Sequence, residues 1–174
     1  MFYALMIDSN GNGMGSHTYV EEPSSYPSNE IPCTEAQAKN PMAYQVANGQ
    51  VVESLPYAKT SQIALLQSAF QQAEQSPVSV TLASGITTSF GMTPHDWTKI
   101  VGLYSKYVAK GIALPSGYQI PDTNGTLQAM TVTDIENLFN AGETQMTGAI
   151  AKLASLVAQV QSATTVSAVQ AIVY

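Results

Sequence analysis

The stretch PVSVTLASGITTSFGMTPHDW, residues 77–97, decides the fold class. Apolar and polar residues alternate over 78–82, which is the pattern of a half-buried strand. A turn signal follows at Ala83-Ser84-Gly85, and a second strand-like run covers 86–90. Thr93-Pro94-His95-Asp96 then predicts a helix start, with a capping threonine, a proline in the first turn and an acid against the helix dipole. A hairpin followed directly by a helix indicates an α+β fold.

The residues before this stretch predict a small β-rich module. Residues 2–7 have strand composition, and Thr34-Glu35-Ala36-Gln37 is a capping box for a short helix. Asn48-Gly49, between two apolar runs, is a strong hairpin signal. A longer helix is predicted from Thr60, ending before Pro77. We therefore expect an N-terminal β-hairpin module over residues 1–57 and a helix-and-hairpin domain over residues 58–174.

The residues after the stretch complete the second domain. Asp122-Thr123-Asn124-Gly125 predicts a third hairpin, whose Pro121 suits an edge strand. A long helix is predicted to start at the capping box Thr133-Asp134-Ile135-Glu136, and Gly142 and Gly148 are expected to interrupt it. A short terminal helix, capped by Thr164, is predicted over Thr165 to Ile172. No strand–helix–strand alternation occurs, so no parallel sheet is expected.

Charge is the most unusual feature of the composition. Charged residues make up 10% of the chain, six lysines stand against twelve acids, and arginine is absent. Because tracking of phosphates needs a basic surface and bidentate recognition needs guanidinium groups, nucleic acid is excluded as a partner. With so few charges, electrostatic repulsion opposes association only weakly, and this favours a permanent partner or a homo-oligomer. A surface rich in neutral polar residues explains the low charge equally well.

The ends and the cysteine content give expectations about location. The apolar run that starts at Met1 is about seven residues long, too short for a signal peptide or a membrane span. We expect a soluble chain with no membrane insertion, and the single Cys33 is compatible with a reducing compartment.

No catalytic, cofactor or metal site is predicted. His95 and Cys33 each lie near a predicted helix start; such a position can lower a thiol pKa, but a solvated first-turn histidine and a half-buried cysteine are the simpler interpretations. The acids Glu21, Glu22, Asp134 and Glu136 are better explained by a loop and a helix start than by paired catalysis. Glycines near residue 11 do not match the dinucleotide-binding pattern.

Several segments between Thr60 and Tyr174 carry a family resemblance. They are Ser61-Gln62-Ile63, 77–81, 85–90, 127–135 and 163–172. In this order they resemble the C-terminal domain common in bacteriophage tail-fibre assembly and tail-fibre-associated proteins. The hairpin at 46–52, ahead of Pro56, is loosely similar to the leader of the same proteins.

The resemblance implies a non-enzymatic protein, either a virion structural component or an assembly factor, that binds the tail fibre or the tail. It would lie in the virion tail, and in the host cytoplasm during assembly. The family has no catalytic residues to transfer and no cofactor. The alternative is a receptor- or glycan-binding module at the fibre tip that uses exposed tyrosines such as Tyr19 and Tyr26.

Overall fold

The computed structural model describes residues 1–174, the whole printed sequence. Its strands are β1 (Phe2–Ile7), β2 (Gly13–Tyr19), β3 (Glu30–Cys33), β4 (Tyr44–Ala47), β5 (Gln50–Glu53), β6 (Val78–Thr81), β7 (Thr87–Phe90), β8 (Gln119–Pro121) and β9 (Leu127–Ala129). Its α-helices are α1 (Glu35–Lys39), α2 (Leu55–Glu74), α3 (Pro94–Leu103), α4 (Val132–Ser162) and α5 (Val166–Gln170); a 3-10 helix covers Pro41–Ala43 and a π-helix covers Tyr104–Ala109.

The sheets are small and wholly antiparallel, which confirms the predicted α+β class. One sheet has three strands in the order β2-β1-β3, and the pairs β4-β5, β6-β7 and β8-β9 are separate hairpins. The three hairpins predicted from turn residues are therefore present. The long helix near the C-terminus and the short helix after it are present as well.

Three hairpin turns, at 8–12, 82–86 and 122–126, share one geometry. In each, the first residue donates its N–H to the carbonyl of the fifth, and the fourth residue donates back to the carbonyl of the first. The fourth residue is Gly11, Gly85 or Gly125, with φ of +82°, +83° and +79°. Residues that carry a side chain rarely adopt this positive φ, so the glycines fix the geometry of the turn and with it the register of the strands.

Helix α2 begins earlier than predicted. It starts at Leu55 rather than Thr60. The Ser54 hydroxyl accepts a hydrogen bond from the Tyr57 N–H at 3.4 Å, and Pro56 occupies the first turn, where its missing N–H costs nothing. The predicted domain boundary after residue 57 lies within this helix, and the division into two domains stays a prediction.

Helix α4 differs from its prediction in its start and its continuity. Thr131, not Thr133, caps it, because the Thr131 hydroxyl accepts from the Asp134 N–H at 3.2 Å. The helix then runs unbroken through Gly142 and Gly148. A Cβ at Gly142 would overlap Met92 and Trp97 side chains, so the glycine accommodates a close contact instead of breaking the helix. Helix α5 is capped by Thr165, one residue later than predicted.

Two compact units are distinguished by contacts, and the division falls within α2 and within α4. The first unit comprises residues 1–66 and 156–173, and the second comprises residues 67–155 with Tyr174. In the first unit the fully buried apolar side chains include Leu5, Leu66, Val160 and Val169. Its two parts are joined by long-range hydrogen bonds, from Lys59 Nζ to the Gln161 carbonyl at 2.7 Å and from Gln62 Nε2 to the Ile172 carbonyl at 2.5 Å.

The second unit has one hydrophobic core. Its buried members come from β6, β7, α3, the π-helix, α4 and the connecting segments: Val78, Val80, Leu82, Phe90, Met92, Ile100, Tyr107, Met130, Ile135 and Leu138. Phe139 stacks on Tyr104 with ring centroids 4.0 Å apart and on Trp97 at 5.4 Å. This core holds the hairpins and helices that form the candidate site.

Candidate functional site

The outer edge of β6 is the most distinctive surface feature of the second unit. The Leu82 N–H donates to the Ile86 carbonyl at 2.8 Å, which marks that pair as hydrogen-bonded. Because such pairs alternate along an antiparallel ladder, the backbone groups of Ser79 and Thr81 point away from β7. The Thr81 and Thr87 hydroxyls lie 2.8 Å apart, as expected for a non-hydrogen-bonded pair. We call the outward backbone groups of Ser79 and Thr81 the β6 edge.

The β6 edge is open, whereas the outer edge of β7 is not. On β7 the Ser89 carbonyl accepts the Thr123 N–H at 2.9 Å, so the turn of the next hairpin covers it. The β6 edge receives no such bond, and both Ser79 and Thr81 are exposed. It therefore offers a row of free backbone donors and acceptors.

A shallow groove runs beside this edge. Its volume is about 620 Å³, and its walls are formed by β6, the residue before it and α4: Pro77, Val78, Ser79, Asn140, Ala141, Thr144 and Gln145. The Gln145 amide donates to the carbonyls of Ala73 at 3.1 Å and Ser76 at 2.6 Å, which fixes the chain entering β6 against α4. None of the lining residues is charged, and the chain has no charged residue from Gln75 to His95.

Asp134 holds the β6–β7 turn at the start of α4. Its carboxylate accepts the Ala83 N–H at 2.7 Å, the Thr131 N–H at 2.8 Å and the Thr131 hydroxyl at 2.7 Å. Burial alone raises the pKa of this carboxyl, but the hydrogen bonds from Thr131 and Ala83 outweigh it, so the pKa lies below its ordinary value. Asp134 is a structural carboxylate, whereas Glu136 is exposed and caps nothing.

The other candidate residues considered from the sequence are dispersed. His95 is exposed in the first turn of α3, and Glu21 and Glu22 are exposed after β2. Cys33 ends β3 half-buried, in agreement with the simpler interpretation, and burial raises the pKa of its thiol.

One polar cluster in the first unit was not predicted. Buried Glu30 accepts hydrogen bonds from the Tyr19 hydroxyl at 2.5 Å and meets His17 Nδ1 at 2.7 Å. The Glu30 hydrogen bond, with burial and the Glu30 charge, raises the pKa of Tyr19. Tyr26 meets Tyr19 edge to face, with centroids 5.8 Å apart. No sequence pattern links residues 17, 19 and 30, because strand pairing through β1 alone brings them together.

None of the helices is both long enough and apolar enough to cross a membrane. Comparison with protein-family models, with curated proteins and with solved structures gives no match for this chain.

Proposed function

We propose that this chain is a non-enzymatic phage tail-fibre-associated protein, a virion component or assembly factor that binds the fibre or tail through the β6 edge. The observation that carries the proposal is the open row of backbone groups at Ser79 and Thr81 beside an uncharged groove. An extended segment of the partner would add a strand there. The family resemblance of residues 60–174 supports a fibre or tail protein as the partner.

Strand addition suits the chemistry of this surface. Backbone groups of a partner strand satisfy the edge, and alternate side chains of that strand enter the groove toward Asn140 and Thr144. Natural proteins usually protect such edges with charged side chains, prolines or covering loops. The β6 edge lies in a segment without charge and is exposed, as expected for an edge that a partner covers.

The glycan-binding alternative depends on exposed aromatic rings. Tyr19 and Tyr26 contact each other and are half-buried, and the Tyr19 hydroxyl is bonded to Glu30. This arrangement favours a structural use of the two rings. The alternative stays a prediction, to be checked by host adsorption after Tyr26→Ala.

The proposal is tested first by location. The tagged chain is expressed in its native genetic background, particles are purified, and bound copies are counted by mass spectrometry. We expect stoichiometric copies with the tail for a virion component. Absence from particles, together with normal fibre trimerisation when the gene is deleted, would overturn both forms of the proposal.

The surface is tested by proline substitution on the edge. Ser79→Pro removes an outward N–H without removing a ladder hydrogen bond, so the hairpin should persist. Ser79→Ala is the matched control, since it keeps the N–H. Capture of the fibre or tail protein should fall about tenfold or more for Ser79→Pro and stay unchanged for Ser79→Ala. Equal capture by a folded Ser79→Pro protein would refute binding at this edge.

A further inference from the structure

A cavity of about 420 Å³ lies beside α3 and the π-helix in the second unit. Its volume is within the range of small-molecule sites, about 300 to 1,000 Å³. Its apolar part is formed by side chains of the core, among them Phe90, Ile100, Leu103 and Leu138. This part of the cavity would accept a hydrocarbon chain or ring.

Tyr107 supplies a polar group in this apolar setting. The residue lines the cavity and is only 6% exposed, yet its hydroxyl has no hydrogen-bond partner in the protein. Since no fully buried polar side-chain atom is left unsatisfied, the hydroxyl is open to solvent or to a ligand. A nearly buried tyrosine usually pairs its hydroxyl, so an unpaired one at a cavity is a candidate ligand contact.

Two lysines give the cavity its charge. Lys99 and Lys106 both line it, and neither forms a salt bridge, although acids outnumber lysines two to one in the chain. Lys106 Nζ lies 4.9 Å from the centroid of the Tyr107 ring. The one acid of the lining, Asp96, is engaged at the start of α3, where it accepts the Thr93 hydroxyl at 2.6 Å. The Asp96 carboxylate keeps its charge, so two lysines stand against one acid and the net charge of the lining is +1.

The backbone beside the cavity is also unusual. The π-helix Tyr104–Ala109 contains both Lys106 and Tyr107. Such segments are rare and occur frequently at functional sites, because the wider turn changes the direction of the side chains. Here it places a cationic and a hydroxyl-bearing side chain at consecutive positions along one cavity wall.

We propose that this cavity binds a small carboxylic acid with an apolar body. The carboxylate lies between Lys99 and Lys106 and accepts the Tyr107 hydroxyl, and the apolar body contacts Ile100 and Leu138. The proposal is independent of the β6 edge, which shares no lining residue with the cavity.

The test uses the intact protein and octanoate as the probe, followed by calorimetry and by amide NMR. Octanoate should bind saturably, with shifts concentrated around residues 99–107. Octanol, which has the same chain length without the charge, should bind about fivefold more weakly, which is the upper end of what one solvated ion pair contributes. Equal binding of octanoate and octanol would overturn the assignment of a carboxylate ligand.

Variants separate the cavity from general surface attraction. Lys99→Met with Lys106→Met should reduce octanoate affinity to the octanol level. Lys110→Met, at the C-terminal cap of the π-helix and outside the lining, should leave the affinity unchanged. Tyr107→Phe should weaken octanoate severalfold without unfolding, because the hydroxyl has no protein partner to lose.

A blocking variant tests the location directly. Gly102 lines the cavity, and no atom lies within 4 Å of a Cβ built there, so Gly102→Leu can place its first side-chain atom in open space at the cavity. We expect it to abolish octanoate binding while the chain stays folded. Undiminished binding by Gly102→Leu, or by the double lysine variant, would refute the site.

Discussion

Two turns of nearly the same sequence, Asp8-Ser9-Asn10-Gly11-Asn12 and Asp122-Thr123-Asn124-Gly125-Thr126, perform different tasks in the two units. In both, one oxygen of the aspartate accepts the backbone N–H groups two and four residues later, at 2.8 to 3.0 Å. The turns differ in the second oxygen. That of Asp8 accepts the side chain of Asn12 within its own turn, whereas that of Asp122 accepts Thr88 of the neighbouring hairpin at 2.9 Å and Gln128 at 3.0 Å.

The first turn makes its long-range contact through the backbone instead. The Val46 N–H donates to the Gly11 carbonyl at 2.8 Å, and Asn12 bridges to Gln45. Asp122 is buried, and Asp8 is only partly so. A local motif thus fixes the turn, and the surrounding unit determines whether the aspartate or the glycine connects that turn to the rest.

The largest expected effect comes from removing the two aspartates. Asp122→Ala leaves donors from two hairpins unpaired, whereas Asp8→Ala leaves only local ones. In urea denaturation of the full chain, the loss of stability for Asp122→Ala should be about twice that for Asp8→Ala or more. Equal losses would mean that the link from Asp122 to Thr88 adds nothing to the turn.

Asp134 extends the comparison to pH. The pKa of Asp134 is lowered in the folded state, so this carboxylate adds to the free energy of unfolding at pH values above its unfolded-state pKa of about 3.9. That stabilisation is lost as the pH falls through the folded-state pKa. Asp134→Asn should cost about 1 to 3 kcal/mol at neutral pH and flatten the acid side of the stability curve. Glu136→Gln, exposed on the same helix, is the control and should leave the curve unchanged. The measurement is thermal unfolding between pH 3 and 7. If stability depends on pH in the same way in Asp134→Asn as in the wild-type protein, the prediction is contradicted.

For the glycines of the same two turns, Gly11 and Gly125, the expected order of stability losses is the reverse of that for the aspartates. Gly125→Ala should cost about 1 to 2 kcal/mol for a left-handed residue, since its Cβ would meet no atom. Gly11→Ala should cost more, because its Cβ would lie 3.1 Å from the Val46 carbonyl oxygen. Urea denaturation again provides the measurement. A larger loss at Gly125 would show that strain in the turn, and not the contact with Val46, decides the cost.

The smallest expected effect is at the partners of the aspartates. Thr88→Val removes one hydrogen bond to Asp122 and should cost about 1 kcal/mol. Asn12→Ala removes the local equivalent at an exposed site and should cost less than half as much. Hydrogen exchange of residues 87–90 and 119–129 should increase only in Thr88→Val. Increased exchange there in Asn12→Ala would contradict the separation of the two turns.

Local signals predicted much of this fold. The Thr34 and Thr93 caps, the Asn48-Gly49 turn and the turns at Gly85 and Gly125 each depend on residues within five positions of one another. The start of α4 could not be predicted, because Thr131 and Thr133 each precede an acid by three positions. Asp134 decides between them through its bond to Ala83, which is distant in sequence.

The candidate sites depend still more on tertiary placement. An open strand edge is a property of the sheet order, and nothing in the residues of β6 says that no third strand covers it. The cavity lysines belong to an ordinary amphipathic helix pattern, and the change to a π-helix after Leu103 has no sequence signature here. The buried Glu30 likewise depends on the pairing of β2 and β3 with β1.

The hydrogen bonds from Lys59 and Gln62 to the far end of the chain have a consequence for biosynthesis. A chain is made from its N-terminus, and compact regions fold as their residues become available. Hairpins such as β6-β7 close over a few residues and form early. The first unit must instead wait for residues 156–173, which supply the buried Val160 and Val169 and the carbonyls that Lys59 and Gln62 bind. Residues 1–66 are therefore synthesised before the second unit but completed after most of it.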